Sequence, residues 1–304
     1  MTNILSTMSQ DTDTMEDQEN KEIKDVQSYF SALPKSMVFE CKDISNKGRI
    51  INPEKNALKT YLTKTVNGNI SGNYAVKIIK GDDNIIECLK TFVEFNKIKN
   101  PNVVCFFGAA LQKVNGQFEL SILSELADNN LVSALEKPGG APRTAPHPAA
   151  VLPWDVIMDF VIQIAKGLAC LHSQAVIHGN LKSSNILIFD KTKGHQQIQT
   201  LKLCDFGEKK NPETVPTVYT APEKLLTLES DVYSFGVILF WFVTGKSPEE
   251  KDPKIGLINA IIPRQGCPEF LVDLCKRCLA QNPEDRPKNG VEISKFLEIK
   301  ESVE

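Results

Sequence analysis

His178-Gly179-Asn180-Leu181-Lys182-Ser183-Ser184-Asn185 is a polar octapeptide between two apolar runs. Before it, Val156, Phe160, Ile164, Leu168 and Leu171 lie on one helical stripe from Trp154 to Leu171. After it comes Ile186-Leu187-Ile188. Working outward, Asp205-Phe206-Gly207 and Ala221-Pro222-Glu223 stand downstream, and Tyr74-Ala75-Val76-Lys77 stands upstream. Lys77 lies inside an apolar strand pattern, where a charge has no packing rationale and points instead to function.

The 304-residue chain carries 41% hydrophobic and 24% charged residues, the composition of an ordinary globular protein with a sizeable core. A net charge of −3 excludes a strong electrostatic pull toward nucleic acid or an acidic membrane. That charge is uneven: residues 1–25 hold seven acids and two lysines, net −5, which leaves +2 elsewhere. An acidic, aromatic-free start without apolar periodicity predicts a disordered tail over residues 1–35. The longest apolar run, Phe235 to Val243, is too short to span a bilayer, and no signal peptide is evident. The expectation is a cytoplasmic protein whose eight cysteines are reduced, with no membrane insertion. Cys275 and Cys278 read as two core positions on one helix face beside Leu271, Leu274 and Leu279; no second pair has metal-site spacing.

Along the chain, short alternating segments from about Phe39 to Ile79 are broken by Asn67-Gly68 and Gly72, which predicts strands and hairpins. Ile86, Leu89, Phe92, Val93 and Ile98 predict a helix over 83–99, ended by Pro101. Strand-like runs follow at Val103–Phe107 and Phe118–Leu123, then a short helix from Leu131 to Leu135. Residues 137–150, rich in Pro, Ala and Gly, read as a surface insert, and the segments after Glu223 are mostly helical. A small strand-rich part thus precedes a larger helical part.

Taken together and in order, the four patterns resemble the protein-kinase signature set: the V-A-I-K strand, the H-R-D-L-x-x-x-N catalytic loop, D-F-G and A-P-E. Ser230 to Gly236 and Arg286 are similar to the family's supporting Asp helix, through Asp231, and to the Arg that pairs with the A-P-E glutamate. The resemblance covers about residues 37–300. Its flavour is that of the tyrosine-kinase-like branch. The catalytic loop resembles receptor guanylyl cyclase kinase-homology domains and plant receptor-like pseudokinases, and the chain also resembles the mixed-lineage kinase-like pseudokinase. No cyclase segment, leucine-rich repeat or N-terminal helical bundle is evident in the sequence, so those functions are not carried over. The implied fold is α+β and bilobal: a small β-rich N-lobe over about 36–124 and a larger α-helical C-lobe over about 128–300.

The resemblance also assigns jobs. Lys77 would hold the phosphates of ATP as a point charge. Asp205 and Asn185 would offer oxygens to Mg2+. Lys182 would stabilise the transferred phosphoryl group. Ala75 and Leu187 would sandwich an adenine, Glu125 to Ala127 would present backbone groups to its edge, and Ser124 would be the small gatekeeper. His178 would pack beneath Phe206 as a core histidine.

Four departures qualify that assignment. Asn180 stands where the family has its catalytic aspartate, and an amide has no useful basicity. No G-x-G-x-x-G lies between Glu40 and Ala75; Asn52-Pro53-Glu54 stands there, removing one amide and adding a negative charge near the phosphates. Thr91 falls where a Glu partner for Lys77 belongs, with Glu87 and Glu94 on nearly the same face and Glu94 the first choice. Gly179 replaces the Arg that reads an activation-loop phosphate, and Glu208 to Thr220 spans only 13 residues. Thr217, Tyr219 and Thr220 remain as modification candidates. The expected function is a catalytically impaired pseudokinase acting as a scaffold or allosteric regulator with protein partners in signalling, with ATP and Mg2+ bound weakly or not at all. The alternatives are a weak serine/threonine kinase and a nucleotide-gated switch.

Overall fold

A computed structural model describes residues 24–39, 60–64, 73–80, 82–95, 97–135, 152–193, 196–206, 217–248 and 256–302. The chain divides into two compact units, one of residues 1–97 and 105–126, the other of residues 98–104 and 127–304.

The first unit is a four-stranded antiparallel sheet with helices. Strands β1 (Thr60–Lys64), β2 (Asn73–Lys80), β3 (Phe106–Val114) and β4 (Gln117–Glu125) lie in the order β1-β2-β4-β3, so β3 is an edge strand. The β3–β4 hairpin turns at Asn115-Gly116, both with positive φ (51° and 88°), as a two-residue turn matched to strand twist requires. That Asn-Gly pair is a hairpin signal the sequence reading passed over, while Asn67-Gly68 lies outside the described residues. The run predicted as a strand from Val103 is shifted: Val103 makes an isolated parallel bridge to Leu203, and β3 begins at Phe106. The predicted helix over 83–99 is α2, Asp82–Phe95, with Ile85, Leu89 and Phe92 buried on one side.

The expectation of a disordered tail through residue 35 is corrected at its C-terminal end. Residues 24–31 form helix α1, followed by a 3-10 turn at Lys35–Met37. Val26, Phe30, Leu33 and Met37 recur every three or four residues, and three of them, Val26, Leu33 and Met37, are at most 8% exposed in the core against α2 and the sheet. The dense acids before residue 26 and the break at Pro34 hid this stripe. Residues 1–23 lie outside the described residues.

The second unit is mostly helical. It contains α3 (Leu131–Leu135), α4 (Trp154–His172), α5 (Leu228–Thr244), α6 (Glu269–Cys278) and α7 (Gly290–Glu301). A three-stranded sheet joins β5 (Asn129–Asn130), β6 (Ile186–Lys193) and β7 (Gln196–Leu203). Every residue of α5 from Ser230 to Thr244 is buried, as expected of a helix that is apolar all round. Thr227 starts it with a reciprocal cap to Ser230. Cys275 and Cys278 are fully buried on α6; burial pushes the Cys278 thiol up to about 12 and raises Cys275 well above its ordinary value. They are core residues, as their spacing suggested. Among the described residues no helix is long and apolar enough to cross a membrane.

Candidate functional site

In the second unit, the octapeptide 178–185 links the segment after α4 to β6. Its root is the carboxylate of Asp231 on α5, which is 1% exposed. Asp231 accepts from the backbone N–H of His178 at 2.6 Å and of Gly179 at 2.9 Å, and it meets His172 Nε2 at 3.0 Å. His172 Nδ1 in turn accepts from the N–H of Gly290 at 2.9 Å, so its proton lies on Nε2, facing the carboxylate. A buried carboxylate with three donors is fully satisfied, and it holds the loop by its backbone. The role of Asp231 was legible in the motif. That of His172 was not, because its two partners lie 59 and 118 residues away.

Gly179 has φ +71°, a conformation glycine adopts without strain. His178 is wholly buried with its ring 6.2 Å from that of Phe206. Burial pushes its pKa below the ordinary value, with Asp231 and Asp205 pulling the other way, so it stays neutral. Its Nδ1 accepts from the Asn180 N–H at 3.3 Å. It is a core histidine, not a catalyst.

Asn180 sits half-buried, and its Nδ2 finds no hydrogen-bond partner among the described residues. Its backbone oxygen accepts from Asn185 Nδ2 at 2.8 Å. That bond leaves Oδ1 as the atom Asn185 has to offer a cation. Asn185 is 4% exposed and is tied at its backbone to Lys182 and Cys204. Asp205 is held at φ +55°, an uncommon backbone for a non-glycine residue and one found at functional sites. One carboxylate and one amide oxygen suit Mg2+, a hard ion that keeps water and phosphate oxygens as its other ligands. Among the described residues no cluster of three or more His, Cys, Asp or Glu forms a metal cage. Lys182 and Leu187 are half-buried, and Leu187 points to the side of β6 opposite Ile186 and Ile188. Ala127, also half-buried, precedes Asp128, whose N–H donates to Ile188 O at 3.0 Å.

Tyr219 corrects one expectation. It is 7% exposed, its hydroxyl lies 3.0 Å from Ser183 Oγ, and its carbonyl accepts from Ser234 Oγ at 2.9 Å. It ties the activation segment to the catalytic loop, so it is no accessible modification site. Thr217 is exposed, and Thr220 Oγ1 accepts from the Thr217 N–H at 2.9 Å. Further on, Glu223 and Arg286 form a two-pronged pair, 2.8 Å on each arm, with Arg286 also donating to the carbonyls of Ala280, Gln281 and Glu229.

In the first unit, Lys77 and Ala75 are half-buried on β2, opposite Ile122 and Ser124 of β4. Glu125 ends β4. Its Oε1 accepts from the Cys105 N–H at 2.6 Å, and its own N–H donates to Cys105 O at 3.2 Å. That N–H is therefore engaged within the first unit. Thr91 is half-buried on α2. The side chains of Glu87 and Glu94 lie outside the described residues, as do residues 52–58, 137–150 and 207–216.

The small antiparallel sheet, the helical unit and the loop rooted on Asp231 define a protein-kinase domain, of mixed α+β class with a sheet-based N-lobe and a helical C-lobe. The chain belongs to the protein tyrosine and serine/threonine kinase family, which it matches over residues 58–296. It is similar to a mitogen-activated protein kinase kinase kinase of Drosophila melanogaster, 36% identical over 49% of this chain and 15% of that protein. It is also similar to mitogen-activated protein kinase kinase kinase 10 of Mus musculus, 31% identical over 67% of this chain and 22% of the relative. A third relative is the probable serine/threonine-protein kinase kinX of Dictyostelium discoideum, 29% identical over 70% and 19%. The chain thus spans about a fifth or less of the length of these curated relatives.

Proposed function

We propose that this chain is a catalytically impaired member of its family, a cytoplasmic pseudokinase that works as a scaffold or allosteric regulator for protein partners in signalling. The observation that carries this reading is Asn180 at the base position of a loop otherwise held in order by Asp231. General-base catalysis is worth about 100- to 10,000-fold. An amide in its place can orient a hydroxyl but cannot take its proton. Pro53 and Glu54, where phosphate-binding glycines belong, and Gly179 weaken the same function further. The likeness of the loop to receptor guanylyl cyclase homology domains and plant pseudokinases agrees with it.

A second reading has its own support. Lys77, Lys182, Asn185 and Asp205 retain the charge and oxygen donors that would hold ATP and Mg2+, and phosphoryl transfer depends heavily on positioning. When bound, Mg2+ would neutralise phosphate charge; Lys77 would bind the phosphates, Asp205 and Asn185 would orient the ion, and Asn180 would orient a hydroxyl without deprotonating it. That reading is a weak serine/threonine kinase.

Two measurements separate them. On the first reading, purified protein transfers no phosphate above background to generic substrates, and Asn180→Asp does not restore transfer. Robust transfer that disappears in Lys77→Met would sink it. A thermal-shift titration with ATP, with and without Mg2+, shows separately whether the nucleotide site is live.

A further inference from the structure

We infer that residues 24–39 are a strap that sets the order and position of helix α2, so that a segment ahead of the family-matched region controls the helix expected to carry the acidic partner of Lys77. The family match begins at residue 58, so the strap lies ahead of the matched region.

The contact is built from both sides. On the strap, Val26, Leu33 and Met37 are 0%, 5% and 8% exposed, with Phe30 packed against the same cluster. The opposite face is polar: Lys24, Asp25, Gln27, Ser28 and Ser31 are exposed. The receiving surface holds Ile85, Leu89 and Phe92 of α2, at most 2% exposed, with Ala109, Leu120 and Ile122 of the sheet. At the surface, Lys90 Nζ of α2 lies 5.3 Å from the centre of the Tyr29 ring.

The strap ends by pairing with the sheet. Val38 forms a parallel bridge to Ala109, and the Phe39 N–H donates to Ala109 O at 2.9 Å. Because β3 is an edge strand, this covers backbone groups that would otherwise be open for pairing. Gly108 makes the approach achievable. A Cβ there would lie 2.3 Å from Met37 O and 2.2 Å from Phe39 Cε2, so any side chain at 108 would lift the strap. This glycine has no positive φ to explain it.

Strap and α2 stabilise each other. A helix as short as α1 is marginal alone in water, so it is helical because it is docked. Undocked, it would leave the apolar face of α2 wet. By reciprocity, whatever draws the strap away loosens α2, and whatever orders α2 favours the docked strap. This coupling does not require nucleotide to be bound, so its failure and that of the proposed function are separate results.

The test is amide hydrogen exchange on the full chain. In Val26→Ala/Leu33→Ala, peptides of residues 82–95 should exchange about tenfold faster or more, with α5 unchanged. Tyr29→Ala, which opens no core, should accelerate the same peptides about two- to fivefold and serves if the double variant does not fold. Faster exchange in residues 24–39 with none in 82–95 would make the strap a passenger and overturn the inference. Equal acceleration in both units would overturn it too, by showing general destabilisation.

Discussion

The root and the tip of the catalytic loop have opposite fates. At the root, Asp231 is buried, carries three hydrogen bonds, and is backed by His172, which is itself bonded to the start of α7. At the tip, Asn180 is an amide whose nitrogen finds no partner among the described residues. The Glu223–Arg286 pair is as complete as the root, with Arg286 saturated by a carboxylate and three carbonyls. The contacts that hold the loop's shape are thus complete, whereas residue 180 presents an amide that cannot take up a proton. The shape of the loop and any chemistry at its tip depend on different atoms, so one can change without the other.

The largest expected effect tests the root. Asp231→Ala leaves two backbone N–H groups and the His172 ring without their buried acceptor. It should cost about 3–5 kcal/mol and lower the melting temperature by on the order of 10 °C. A smaller effect is expected at the Glu223–Arg286 pair, where Glu223→Gln should cost about 1–3 kcal/mol by calorimetry. Its pH dependence has a definite sign. Burial works to raise the Glu223 carboxyl, but the Arg286 hydrogen bonds, a backbone bond and the Arg286 charge together outweigh it and hold it below its ordinary 4.5. The folded-state pKa is depressed, so the contribution is present above about pH 4.5 and is lost as pH falls through the lower folded value. Melting curves across that window should fall for the parent protein and stay flatter for Glu223→Gln. The smallest effect belongs to the tip: Asn180→Asp should shift melting by no more than about 0.5 kcal/mol. If it matched Asp231→Ala, the division between root and tip would be wrong.

Much of this was legible in the sequence. The motif order pointed to Lys77, Asn180, Asn185 and Asp205 as site candidates, and helical periodicity located α2 and α4. What failed was local. The stripe Val26, Phe30, Leu33 and Met37 was present, but a run of acids beside it and Pro34 within it read as disorder. Composition is averaged over a window, whereas burial is decided residue by residue against a receiving surface. Asn115-Gly116 carried its own turn signal and needed only the alternation on each side.

Sequence by itself determined residue chemistry: an amide at 180, no glycine loop before Ala75, and a family order of motifs that implies a kinase domain. These are covalent facts, and no fold restores basicity to Asn180. Tertiary structure alone decided who touches whom. It gave Asp231 its three donors, took Tyr219 out of reach beneath Ser183, engaged Glu125 with Cys105, and seated residues 24–39 over Gly108 and α2. The physical reason is that hydrogen bonding and burial depend on distance in space. The decisive partners here lie from 20 to 118 residues apart along the chain, where no local pattern can bring them together.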